Sequence, residues 1–112
     1  MRIVKLDEFL RLPEGTIYQK YKPMFFEDLS IKGETSIHTI DFFTTSIPWV
    51  ESYDTNEMMA VLERAESDPA FSFKLDFETM GRDGLYDENQ LFAIWEVEDL
   101  KSFITVLKAA IR

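Results

Sequence analysis

Leu91-Phe92-Ala93-Ile94-Trp95 is an uninterrupted apolar run of strand length, and the rest of the architecture follows from where it must sit. A strand with one wet face alternates apolar and polar residues. A run that is apolar at every position needs cover on both sides, so residues 91–95 are expected in the middle of a sheet. Downstream, Leu100, Phe103, Ile104, Leu107 and Ile111 recur at helical spacing on one face. Glu98 and Asp99 open that helix and Lys101, Lys108 and Arg112 lie toward its end, the arrangement that complements a helix dipole.

Upstream, Phe71, Phe73, Leu75 and Phe77 alternate strictly with Ser72, Lys74, Asp76 and Glu78. This pattern predicts a half-buried strand whose aromatic face is core, covered by the last helix through Phe103, Ile104 and Leu107. Asp54 followed by Glu57 has the sense of a capping box, and Met58, Val61, Leu62 and Ala65 then form an apolar stripe that Asp68-Pro69 ends. Gly81-Arg82-Asp83-Gly84 reads as a turn.

The first half of the chain reads as a meander. A short strand over residues 2–4 leads into a helix burying Leu6, Phe9 and Leu10, which Pro13 stops, and Pro13-Glu14-Gly15 makes a type I turn with Gly15 at its fourth position. The β-branched and aromatic content of residues 16–22 favours a strand that Pro23 ends. In residues 28–32, Leu29 and Ile31 alternate with Ser30 and Lys32, and Gly33-Glu34 is the expected hairpin tip before a return through residues 37–45. Strands interleaved with helices and joined by hairpin-like turns predict an α+β fold: a mostly antiparallel sheet packed against two or three helices, with residues 1–112 as a single domain.

Composition narrows the function. The 112 residues carry 21 acidic and 12 basic side chains, a net charge of -9. Residues 1–33 hold six basic and five acidic groups, whereas the remainder holds six basic and sixteen acidic ones. A negative field of that size disfavours nucleic acid and anionic membrane as direct partners and favours a basic protein. With no cysteine, thiol nucleophiles, disulfide scaffolds and thiolate zinc sites are unavailable, and with His38 as the one histidine, so is any site needing two imidazoles. No stretch approaches the ~20 apolar residues of a membrane span, and the first residues lack the cationic-then-apolar order of a signal peptide. The expectation is a cytoplasmic protein with no cofactor.

Motifs for catalysis are thin. Ser36, His38 and Asp41 supply the residue types of a nucleophilic triad but no Gly-x-Ser-x-Gly elbow, and a hydrogen-bonded strand histidine accounts for them better. Asp83, Asp87, Glu88 and Asn89 offer oxygen ligands without the spacing of a calcium loop, and a polar hairpin loop explains them. Tyr18, Tyr21, Phe25 and Phe26 interleave with Lys20 and Lys22 like a single-strand nucleic-acid platform, yet two lysines in so acidic a chain make a weak one. No phosphate-binding glycine loop is present. The reading is therefore no catalytic residue, no metal site and no enzyme.

The acidic segments carry the most weight. Glu57, Glu63 and Glu66 lie outside the apolar stripe of their helix and must face solvent, while Glu96, Glu98 and Asp99 meet the start of the last helix. If the two groups adjoin, they form a surface able to dock a basic groove, with Trp49, Tyr53 or Tyr86 as aromatic anchors.

The run Phe9-Leu10-Arg11-Leu12-Pro13-Glu14-Gly15-Thr16, leading to Tyr21-Lys22-Pro23 and Ile31-Lys32-Gly33, resembles small proteins carried by bacteriophages and prophages. The resemblance covers the first third of the chain and implies context, since short phage proteins of this kind include inhibitors of host defence such as anti-CRISPR and anti-restriction proteins. It carries over no functional residue. The resulting expectation is a non-catalytic acidic protein, phage-encoded and acting in the host cytoplasm, that occupies the basic nucleic-acid-binding surface of a host defence protein. The alternatives are an immunity protein for a basic toxin and a small metal-dependent hydrolase built on Asp83, Asp87, Glu88 and His38.

Overall fold

A computed structural model describes residues 1–36, 40–84 and 86–112. The chain folds as α+β in the order β1 (Arg2–Lys5), α1 (Leu6–Leu10), β2 (Ile17–Lys22), β3 (Phe25–Phe26), β4 (Ser30–Thr35), β5 (Phe42–Ser46), α2 (Thr55–Ser67), β6 (Gly81–Arg82), β7 (Leu91–Ile94) and α3 (Val97–Ala110). One antiparallel sheet runs β1-β7-β2-β4-β5-β6, with β3 paired to the end of β2. As its apolar run requires, β7 lies inside the sheet: Phe92 faces Val4 on one side and Lys20 on the other, and Ala93 is enclosed between Ile3 and Gln19.

The core is aromatic and sits on one face of the sheet. Leu6 and Phe9 of α1 are buried against Val4, Tyr18, Phe42, Phe92 and Ile94. The Phe9 ring stacks on Phe92 and meets Tyr18 and Phe42 edge-on. Five residues suffice for α1 because two of its side chains plug the sheet and Pro13 closes the exit. The following turn is one residue later than the sequence suggests. Thr16 N–H donates to the Pro13 carbonyl, which puts Gly15 at the third position with φ +89°, as a type II turn demands.

Three further features of the strands stand out, and the first and third correct expectations. Gly33-Glu34 is not a hairpin tip, for β4 runs straight through it with a register shift between Lys32 and Thr35. Gly33 is needed for close approach: a Cβ there would stand 3.1 Å from Phe43 Cβ and 3.2 Å from its carbonyl oxygen. Second, the buried side of β4 is the polar one, carrying Ser30 and Lys32, because these residues share the Tyr18 and Thr44 face. Third, the alternation at residues 71–78 does not enter the sheet. It contributes one bridge, Leu75 to Val50, and leaves Phe73 39% and Phe77 50% exposed. Alternation specifies a buried face only where a second layer exists to cover it, and here the last helix is elsewhere.

The chain leaves β5 through a cis Ile47–Pro48 bond and returns to the sheet at β6, so residues 47–80 form an arm inserted between two paired neighbours. Its stem is a short antiparallel pairing: Glu51 N–H donates to the Lys74 carbonyl and Asp76 N–H to that of Trp49. Neither α2 nor α3 contains a fully buried residue. No helix among the described residues is long and apolar enough to cross a membrane.

Candidate functional site: an acidic arm beside a polar sheet face

The arm carries eight acidic side chains (Glu51, Asp54, Glu57, Glu63, Glu66, Asp68, Asp76, Glu78) against Arg64 and Lys74. Its helix starts where the sequence places it. Asp54 has extended backbone and its Oδ1 accepts from Glu57 N–H at 2.8 Å, while the apolar stripe of Met58, Val61 and Ala65 is half-buried. Glu57, Glu63 and Glu66 point to solvent as expected. Beyond the helix, the Arg64 guanidinium lies 4.1 Å from the centroid of the Phe71 ring, which itself packs on Phe73. Arg64 is thereby held against the arm's own aromatic surface.

At the stem, a 530 Å³ open groove is lined by Glu51, Ser52, Leu75, Asp76, Phe77, Glu78 and Thr79. Three carboxylates thus line a mostly polar groove together with Leu75 and Phe77. Hydrogen bonds from Thr79, together with the backbone N–H of Glu78, hold the Asp76 carboxyl below its ordinary pKa, so it stays charged. Glu51, Asp76 and Glu78 were not singled out from the sequence. The signal was there, since Asp76 and Glu78 lie on the polar side of the 71–78 alternation, but only the stem pairing brings Glu51 to them.

The six glutamate and aspartate positions expected to dock a partner separate into two groups. Glu57, Glu63 and Glu66 belong to the arm at the β5–β6 edge, with Trp49 and the almost fully exposed Tyr53. Glu96, Glu98 and Asp99 follow β7, so β2 and β4 stand in the sheet between the strands that carry the two groups. Glu96 and Asp99 are also occupied. They form the reciprocal capping box of α3, and the Met1 ammonium approaches Glu96 at 3.1 Å and Asp99 at 2.6 Å. Hydrogen bonding to that ammonium lowers the Asp99 pKa. Glu98 remains open to solvent beside Lys101. Tyr86 stands apart from both groups, its hydroxyl accepting from Arg82 at 2.8 Å.

Arg82 in turn donates through Nε to the buried Asp41 carboxylate at 2.9 Å, which also accepts from Gly84 N–H. Burial alone would raise the Asp41 pKa. The Gly84 and Phe42 amides and the Arg82 guanidinium outweigh it and hold the carboxyl below the usual range.

The other face feature is a 410 Å³ cleft over β2, β4 and β5, lined by Tyr18, Lys20, Phe25, Phe26, Ser30, Thr44, Ser46 and Asp83 among others. Lys20 Nζ lies 2.6 Å from Asp83 in a largely buried pair. This removes Lys20 from the set of cations open to a nucleic-acid backbone and commits Asp83 inside the fold. Asp87 Oδ1 accepts from Asn89 N–H in a local turn. Among the described residues no group of three His, Asp or Glu side chains is placed to hold a metal ion, and His38 lies outside them. In comparisons with protein families, curated proteins and solved structures, nothing matches this chain.

Proposed function

We propose that this protein is a non-catalytic acidic binding domain whose inserted arm docks on a basic protein. The observation that carries this reading is the stem groove, where Glu51, Asp76 and Glu78 flank Leu75 and Phe77. A lysine or arginine entering it meets carboxylates for its head, with Leu75 and Phe77 beside its stem. The exposed Glu57, Glu63 and Glu66 extend the negative surface, and Trp49 and Tyr53 supply the large rigid anchors on which interface energy concentrates. A basic surface of this kind is what nucleic-acid-handling proteins present. With the phage-like opening run, the partner is a host defence protein whose nucleic-acid surface the arm blocks, as an anti-CRISPR or anti-restriction inhibitor does.

The test is capture of partners from host lysate on the immobilised chain, repeated with Glu57, Glu63 and Glu66 changed to lysine and with Glu51→Lys/Glu78→Lys. Both variants should lose the partner. Added duplex DNA should release it from the wild type, and raising salt should weaken the complex through screening. Retention of the same partner by both variants would defeat the proposal.

A further inference from the structure

Part of the sheet face that carries the aromatic core is lined with hydroxyls. The register of β2, β4 and β5 sets Tyr18 beside Ser30 and Ser30 beside Ser46, and Thr44 lies one pair further along β5. These side chains floor the 410 Å³ cleft, a volume within the roughly 300–1,000 Å³ of small-molecule sites. Their protons are already engaged inside the fold. Thr44 Oγ1 donates to the Ile31 carbonyl, so the Tyr18 hydroxyl is the donor in its bond to Thr44, and Ser30 Oγ donates to the Asp28 carbonyl. Tyr18 keeps its proton, because burial pushes its pKa up to about 12. A hydroxyl whose proton is engaged presents only lone pairs, so Tyr18, Ser30 and Thr44 offer the cleft acceptors. Charge has the same sense. Lys20 is matched by Asp83 in the wall, whereas Glu27 and Asp28 also line the cleft and stand in no ion pair among the described residues. Phe25, 58% exposed, adds an aromatic ring to the same lining.

We infer that this cleft binds a small organic cation, a free alkyl di- or polyamine, whose N–H groups donate to the hydroxyl floor and to Glu27 and Asp28 while its chain lies against Phe25. Floor, charge and ring select this class together. Phosphates and carboxylic acids bring acceptors to a lining of acceptors and meet three carboxylates against one ammonium. A neutral sugar would satisfy the floor and leave Glu27 and Asp28 without a counter-charge. A metal ion is the wrong shape of cation, since among the described residues no three carboxylates are placed to hold one, and it makes no use of Phe25. An alkylammonium answers all three, because its protons suit the acceptors, its charge suits the carboxylates and both charge and methylenes are attracted to a ring. The site contains no residue of the arm, so it stands or falls apart from the docking reading.

Amide NMR of the full chain titrated with spermidine should show saturable shifts centred on Tyr18, Ser30, Thr44 and Ser46. Glu27→Gln/Asp28→Asn, which keeps the shape of both side chains and removes their charge, should weaken binding about tenfold, and Phe25→Ala about threefold. Glu57→Gln/Glu63→Gln/Glu66→Gln should bind as the wild type does, which separates a built site from the general attraction of a polycation to an acidic chain. Glucose and inorganic phosphate, at matched ionic strength, should leave the shifts in place. The proposal is overturned if no saturable shift develops by ~10 mM spermidine, if the shifts centre on the arm, if Glu27→Gln/Asp28→Asn binds as tightly as the wild type, or if glucose displaces the amine. The shift map is made on the unaltered chain, so it decides the matter even where a variant fails to fold.

Discussion

Phe9 lies face to face on Phe92, ring centroids 3.9 Å apart and planes 7° from parallel, and this contact joins α1 to the interior strand β7. Phe9 is fully buried and also touches Tyr18 and Phe42. Phe9→Ala should therefore cost about 3–5 kcal/mol in urea melts. Phe73→Ala, on the arm, should cost under about 1 kcal/mol. Equal losses at the two positions would mean that the arm is part of the core.

Lys32 is 1% exposed, with its ammonium 5.7 Å above the Phe9 ring and donating to the Gly33 carbonyl and to Thr35 Oγ1. Burial lowers its pKa, partly offset by Glu14. The folded state therefore releases this proton more readily than the unfolded chain does, and the penalty is largest at neutral pH and fades as pH rises toward the ordinary value of 10.5. Lys32→Met should raise stability by about 1–2 kcal/mol at pH 7. Its gain should shrink in alkaline buffer, as chemical melts at several pH values will show.

Asp41 gives the opposite sign. Its folded pKa is depressed, so its stabilisation is complete above the unfolded value of 3.8 and disappears as pH falls through the folded one. Asp41→Asn should cost roughly 1–3 kcal/mol at pH 7 by leaving buried donors poorly paired, and it should flatten the acid limb of the stability profile.

The carboxylates fall into two classes that melting temperature separates. Reversing Glu57, Glu63 and Glu66 to lysine should leave it nearly unchanged, since isolated exposed charges contribute little to folding. Asp99→Ala should lower it, because Asp99 accepts from the Glu96 N–H in the capping box and faces the Met1 ammonium. A drop of equal size in both variants would show that α2 is held by its glutamates.

What the sequence conveyed well was whatever a local pattern determines alone. The run at 91–95 demanded cover on both faces, Pro13 stopped a helix, and Asp54 opened one. It misled at 71–78, where alternation is the same whether a strand joins a sheet or pairs briefly with its own arm. Gly33 was misread because a glycine required by a neighbour's backbone looks in sequence like a glycine required by a turn. The stem groove was invisible for a related reason: Glu51 and Asp76 are 25 positions apart and meet only through the Val50 to Leu75 bridge.

The closed stem of the arm has a consequence for how this fold can change. Both ends of residues 47–80 are tied together by backbone hydrogen bonds outside the aromatic core, and none of the core side chains comes from between them. A different hairpin spliced onto that stem would inherit a finished chassis, so specificity can be exchanged by cassette while the platform that displays it is left alone.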